Sequence, residues 1–588
     1  MSWMVGLIGL PIESGLRDDL TRNHLASNIV LDQENIFVLA NRQSPTFFCK
    51  HNGNHSQDYL IMVGSPFLIE NDNYAPVDSA VLDGLVSLPS SEIHSRLVGQ
   101  YSIVRSHSGS IHLFSDVNSL RSLYAVKHKN HIVFSSHLNF IADIVRGLRI
   151  DFKSFGSHWL AHNQLSANSL LVDVERICGT HVWNISIGDR SLASWNEAHN
   201  LQIEKVNFPG QEIAHDKSHD PFSHINGFAK SYPGRIKLAL SGGLDSRLLF
   251  ALVNDQRQKN FETFVYGNTT DADVVLAKQI SEEFNVPCSH IENLTMSDAL
   301  KTGVLQRYGR DTFCTTPISA CSHVANYHRV YRDEPETVIL DGAFGEIGRA
   351  QFYRKVELFR LLSRIITVDT SVFAKALSFF RVDIFCADVV EEMRKGLTRD
   401  VIEFVEFTRE AHRTRAEDMA GIKFRRTNFI GHNQTWIDQF GLNMMPFGQN
   451  PFVFGIFDIP TRRRRGSKYF KHVIKKYSKR YSTVPLAKGQ HMYSFKQPQF
   501  ILPFSFALKE RKDSRGEKQT MPDLACSELR EFTFDTIQSS ETRCFAPYDM
   551  KKIDQLVEDF FDGKYELHSQ VDWFLSFELW RSGNRLSS

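Results

Sequence analysis

Residues 236–250 read Ile236-Lys237-Leu238-Ala239-Leu240-Ser241-Gly242-Gly243-Leu244-Asp245-Ser246-Arg247-Leu248-Leu249-Phe250. The first five residues are a short apolar run, the pattern of a buried strand. The last four open a longer apolar-periodic segment, the pattern of a helix. Between them lies Ser-Gly-Gly-x-Asp-Ser. A strand, a tight glycine turn and a helix N-terminus bring backbone N–H groups together where the helix dipole favours negative charge. Gly242 and Gly243 permit close backbone approach to a phosphate, and Ser241 and Ser246 add hydroxyl donors. Asp245 would repel a bare phosphate, so its presence points to a hard cation, Mg²⁺, bridging carboxylate and phosphate.

The pattern continues outward. Phe261–Tyr266 and Ser289–Ile291 read as strands, Asp273–Phe284 as an amphipathic helix and residues 337–340 as a further strand. Strand–helix alternation predicts an α/β, doubly wound parallel sheet, in which ligands bind at the carboxyl ends of the strands. That rule puts Ser241–Ser246, Tyr266-Gly267 and Asp341–Glu346 along one edge. Residues 351–480 read mostly as helix, with a long periodic stretch at Val389–Met419. Met550–Phe561 and Val571–Arg581 read as closing helices, and 509–520 as loop.

The Ser241–Ser246 loop is not the Gly-x-x-x-x-Gly-Lys-Ser/Thr phosphate loop. It resembles the pyrophosphate loop of enzymes that cleave ATP to AMP and pyrophosphate. Ile339-Leu340-Asp341-Gly342-Ala343-Phe344-Gly345-Glu346 resembles the second signature of the asparagine synthetase family, typically Ser-Gly-x-Gly-x-Asp. The resemblance implies an ATP site made by Leu240, Ser241, Gly242, Gly243, Asp245, Ser246, Asp341 and Gly342, with adenine against Val265 and Tyr266. It implies Asp245 and Glu346 as the two carboxylates that hold Mg²⁺. Ala343 stands where relatives carry a catalytic Glu or Tyr. The stretch from Met445-Pro446-Phe447 to Val484-Pro485-Leu486-Ala487-Lys488-Gly489 is similar to the family's C-terminal series. It implies that Lys488, with Glu346, is catalytic, Lys488 stabilising charge on the leaving pyrophosphate.

Residues 1–205 read as β-rich. Short apolar runs at Val5–Leu10, Ile36–Leu39, Tyr59–Val63, Tyr101–Val104, Ile111–Phe114 and His131–Phe134 alternate with turn residues. Weaker helical patterns lie at Asp78–Leu88 and Leu138–Val145. The series Gly99–Val104, Ile111–Asp116, Leu120–Tyr124 and Ile132–Ser136 resembles the glutaminase domain at the front of asparagine synthetases. That implies a sandwich of the N-terminal-nucleophile (Ntn) type. Its nucleophile would be a cysteine freed at the N-terminus, but Val5 occupies the matching register and Ser2 lies outside it. An inactive glutaminase is expected. The expected domains are therefore 1–205, glutaminase-like, and 215–588, ATP pyrophosphatase-like. Residues 201–231, with His215, Asp216, His219 and Asp220, read as a solvated linker rather than a metal frame.

The chain has 588 residues, with 68 Lys+Arg against 67 Asp+Glu, so its net charge of +1 gives no general electrostatic attraction to nucleic acid or an anionic membrane. The cysteines lack C-x-x-C spacing, which points to reduced thiols. No apolar run spans a bilayer, and a cytoplasmic location is expected. The basic run from Arg462 to Arg480 reads as the solvated face of a helix, with an acidic partner as the alternative. The functional expectation is an ATP-dependent amide-forming ligase. It activates a small-molecule or peptide carboxylate for attack by an amine donor or ammonia, without glutamine hydrolysis. Cyclisation on an internal amine, as in β-lactam synthetases and lasso-peptide cyclases, is one alternative, and a non-catalytic ATP-binding scaffold is another. A second copy of the chain is a further candidate partner.

Overall fold

The computed structural model describes residues 3–9, 12, 14–23, 27–41, 46–52, 57–70, 73–107, 109–179, 181–188, 191–192, 220–257, 260–322, 330, 337–351, 370–410, 416–438, 440–498, 502 and 525–588. Two antiparallel sheets lie face to face in the first part of the chain. One runs in the order β11 (Val174–Ile177), β9 (Leu123–His128), β10 (His131–Ser135), β1 (Met4–Ile8), β3 (Ile36–Asn41), β2 (Ser27–Asp32). The other runs β13 (Ser191–Leu192), β12 (Trp183–Gly188), β8 (Ser110–Ser115), β7 (Leu97–His107), β5 (Gln57–Glu70), β4 (Thr46–Asn52), with β6 (Asn73–Pro76) beside β5.

The period of two sets the layers. Met4 and Ile8 of β1 point between the sheets, against Ile61, Val104 and Leu113. Val5 and Leu7 point outward, towards α1 (Ser14–Asn23), α4 (Leu138–Ile144) and α5 (Phe152–Leu160). On the far side α2 (Ser79–Val86) and α3 (Ser90–Arg96) cover the second sheet. Asp78 caps α2 by accepting from the Val81 N–H at 2.9 Å. This helix–sheet–sheet–helix stack is the sandwich expected. The alternation also explains Val5: it is fully buried in β1, paired with Ser135 and Leu39.

The second part is built on a five-stranded parallel sheet, in the order β16 (Cys288–Ile291), β15 (Glu262–Tyr266), β14 (Ile236–Ala239), β17 (Val338–Leu340), β18 (Leu442–Met444). The chain winds from β14 to one side and then returns to the other, so the switch point lies between β14 and β17. One face carries α7 (Leu244–Arg257), α8 (Ala272–Phe284) and the helix Lys468–Tyr477. The other carries Val304–Asp311 and the C-terminal helix His568–Gly583.

Several expectations change. The linker expected to reach Ser231 ends earlier, because Ser223–Ser231 is a helix, α6, with Ile225, Phe228 and Ala229 buried. Asp220 accepts from the Phe222 N–H at 3.2 Å, while His215, Asp216, His219 and the loop at 509–520 lie outside the described residues. The long helix runs Ala387–Glu410, and the chain later passes through a π-helical stretch, Gly421–Ile430, into the helix Gly431–Ile437. No helix among the described residues is long and apolar enough to cross a membrane.

Candidate active site

At the switch point the loops after β14 and β17 form one wall of a cleft of about 1320 Å³. Leu240, Ser241, Gly243, Asp245, Ser246, Val265, Tyr266, Asp341, Gly342 and Lys488 all line it. The first loop is held by its own hydroxyls. Ser241 Oγ and Ser246 Oγ lie 2.9 Å apart, and the Gly243 N–H donates to Ser241 Oγ at 3.2 Å. The Gly242 N–H donates to Asp273 Oδ1 at 2.8 Å. With the Ser241 N–H donating to Ser246 Oγ at 3.2 Å, three loop N–H donors already have oxygen acceptors, so a phosphate entering the loop either exchanges with them or uses the donors beyond.

Glycine is required where the loops meet. A Cβ on Gly242 would lie 2.7 Å from the Ala487 Cβ. One on Gly345 would lie 2.5 Å from the Asp245 Cγ. The Ala487 N–H donates to the Gly242 carbonyl at 2.9 Å, which docks the short strand β19 (Leu486–Lys488) on the loop and sets Lys488 at the cleft. Arg247, fully buried on α7, holds the approach to β19 by donating to the carbonyls of Tyr481, Val484 and Pro485.

Asp245 pairs with Arg349 at 2.5 Å, yet its Oδ1 is buried with no hydrogen-bond partner among the described residues. Burial, opposed by Arg349 and reinforced by Glu346, pushes its pKa up to about 6. A buried carboxylate oxygen without a donor, next to a second carboxylate, is a donor set that fits a hard divalent cation. Glu346 differs from expectation in position: it lines a smaller neighbouring cavity rather than the main cleft.

The basic run is divided. Arg462, Arg463, Lys475, Lys476, Lys479 and Arg480 are exposed, the solvated face expected. Arg464 is buried and paired with Asp418 at 2.5 Å, while Arg465, Lys468 and Lys471 line the cleft. With Arg349, Lys488 and Lys496 these last three give six cationic side chains there against three acids, Asp245, Asp273 and Asp341. That balance suits an anionic ligand. Sequence reasoning missed Arg349 and Asp273. The acid in the first turn of α8 was a readable signal for Asp273; nothing local pointed to Arg349.

Cysteine spacing gave no sign that Cys526, His568 and Asp572 would gather with ligand atoms within 4.8 Å of one another. Asp572 already accepts from the N–H and hydroxyl of Ser319, a capping role that accounts for its burial.

The family model described as asparagine synthase matches residues 235–343. No curated protein matches the chain. Among solved structures, glutamine phosphoribosylpyrophosphate (PRPP) amidotransferase from B. subtilis, complexed with ADP and GMP, aligns at 12% identity over 59% of this chain and 77% of that one, with a TM-score of 0.22. A likeness at that level carries no argument.

Proposed function

We propose, from the premise that residues 235–343 form a domain of the asparagine synthase family, that this protein is an ATP-dependent carbon–nitrogen ligase. It joins a carboxylate to an amine or ammonia through an acyl-adenylate, without hydrolysing glutamine. One observation carries the reading: the two strand-end loops converge on one cleft, with Asp245, Arg349 and Lys488 on its wall.

In this reading the Ser241–Ser246 loop and the start of α7 bind the phosphates of ATP. Val265 and Tyr266 receive the base at the end of β15. Asp245 and Glu346 would hold Mg²⁺, which neutralises phosphate charge and orients the leaving group. The substrate carboxylate oxygen bonds to the α-phosphorus as the bond to the bridging oxygen breaks, releasing pyrophosphate. Lys488 and the cleft cations stabilise the charge that develops on the departing oxygen. An amine then displaces AMP from the acyl carbon. Holding both partners in one cleft supplies much of the rate by proximity. In the front sandwich, buried aliphatic Val5 offers no group to attack glutamine.

The reading is tested by incubating the protein with glutamine, with and without Mg·ATP, and assaying glutamate. No glutamate above a heat-inactivated control is expected; glutamate release would remove the glutamine-independent part of the proposal. The nucleotide products decide the ligase part.

A further inference from the structure

A second cavity, of about 340 Å³, opens beside the cleft and shares Tyr266 and Asp341 with it. A molecule in this cavity therefore reaches the nucleotide at those two residues. The walls are mainly aromatic and apolar. Tyr308 and Trp436 meet edge to face at 5.4 Å, and Phe344, Phe429 and Ile437 continue the surface. Ala343 contributes only a methyl group.

Two features mark this as a built site. Phe344 is fully buried at φ +69°, a left-handed conformation that a bulky residue adopts only when its surroundings impose it. Arg425, Phe429 and Ile430 come from the π-helical stretch, a geometry concentrated at functional sites. Arg425 lies over the Phe429 ring at 4.5 Å, with no carboxylate partner among the described residues. It is the one cation among the cavity's lining residues, set against Asp341 and Glu346.

We infer that this cavity is the acyl pocket and that its substrate is a monocarboxylic acid with an aromatic or bulky apolar body. The identification as an acyl pocket rests on the ligase reading; the class of ligand rests on the cavity alone. The reacting carboxylate sits at the mouth, between Tyr266 and Asp341. The body packs along Tyr308, Phe429 and Trp436. A small dicarboxylate such as aspartate would leave the aromatic wall uncovered.

The test uses the full chain and needs no turnover. Benzoate, phenylacetate, 4-hydroxyphenylacetate, 3-phenylpropanoate, L-aspartate and succinate are titrated by calorimetry, with Mg²⁺ and α,β-methylene-ATP present and absent. The best aromatic acid is expected to bind at least ~10-fold more tightly than L-aspartate, the discrimination that burying a ring's apolar surface supplies. Ala343→Tyr, which fills the cavity, should abolish that preference while the ATP analogue still binds. Ala343→Val serves the same purpose if the tyrosine variant does not fold. L-Aspartate binding as tightly as every aromatic acid, or aromatic binding indifferent to both Ala343 variants, overturns the inference. Failure of the ATP analogue to bind at all would instead count against the ligase reading, and is read in a separate titration.

Discussion

Asp245 carries opposing demands at the residue scale. Its pKa is raised from the ordinary carboxylate value to about 6, chiefly by burial. A raised carboxylate pKa means that the folded state binds the proton more tightly than the unfolded chain. The stability linked to it is present at pH below about 4 and is lost as pH rises through about 6. Asp245→Asn should therefore raise the unfolding free energy at pH 8, by an increment on the order of 2 kcal/mol, and the gain should vanish near pH 4. The same variant should lose Mg·ATP binding, measured by calorimetry. A variant less stable than wild type at pH 8 would show that the Arg349 pair outweighs burial. Lys488 is exposed at the cleft, at the end of β19. Lys488→Ala should lower kcat by roughly 10²–10³ while changing KM for ATP far less, because its contact strengthens only as charge develops. Both residues were legible in the sequence because a contiguous motif carried them. Arg349 was not, because its partner Asp245 lies 104 residues away and only the packed loops reveal the pairing.

Elements set where these residues stand. Gly242→Ala drives a Cβ into the Ala487 side chain, so it should displace β19 and reduce turnover at least as much as Lys488→Ala. A far-ultraviolet spectrum like that of wild type would show that the loss is local. Arg247→Met removes the guanidinium that holds residues 481–485 and should act through the same strand. The alternation of strand and helix made the parallel sheet readable, since each βα unit repeats one apolar pattern. The amphipathic closing helix Met550–Phe561 was readable to the residue. Strands β2 and β4 and helix α5 were not. β4 carries polar Lys50, His51 and Asn52 in strand, and α5 mixes Ser154, Gly156 and Ser157 into a buried face. Tertiary packing overrides propensity there. Most of the basic run is the solvated face its spacing suggested; Arg464 departs from it because a distant acid, Asp418, neutralises it, and charge spacing alone does not show that Arg465, Lys468 and Lys471 reach the cleft.

Across the whole molecule, the front sandwich grips the part that forms the site. Arg121 pairs with Asp438 at 3.1 Å, both side chains fully buried, and Gln100 donates to the same carboxylate at 2.7 Å. Asn118 accepts from Arg426, and Arg176 donates to Asn428 at 2.8 Å, so the sandwich clamps the π-helical stretch that lines the second cavity. This gives the front sandwich a structural task of its own. Arg121→Met, which strands a buried carboxylate, should cost about 3–5 kcal/mol in denaturant unfolding, and Arg121→Met with Asp438→Leu should recover much of it. A double variant no better than the single would show that the pair fixes geometry rather than balances charge. The central claim concerns which bond of ATP breaks, and acid-dependent exchange of labelled pyrophosphate into ATP measures that most directly. The account predicts label in ATP only when an accepted carboxylic acid is present, with AMP and pyrophosphate as products once an amine is added. ADP and phosphate as the main products would contradict it.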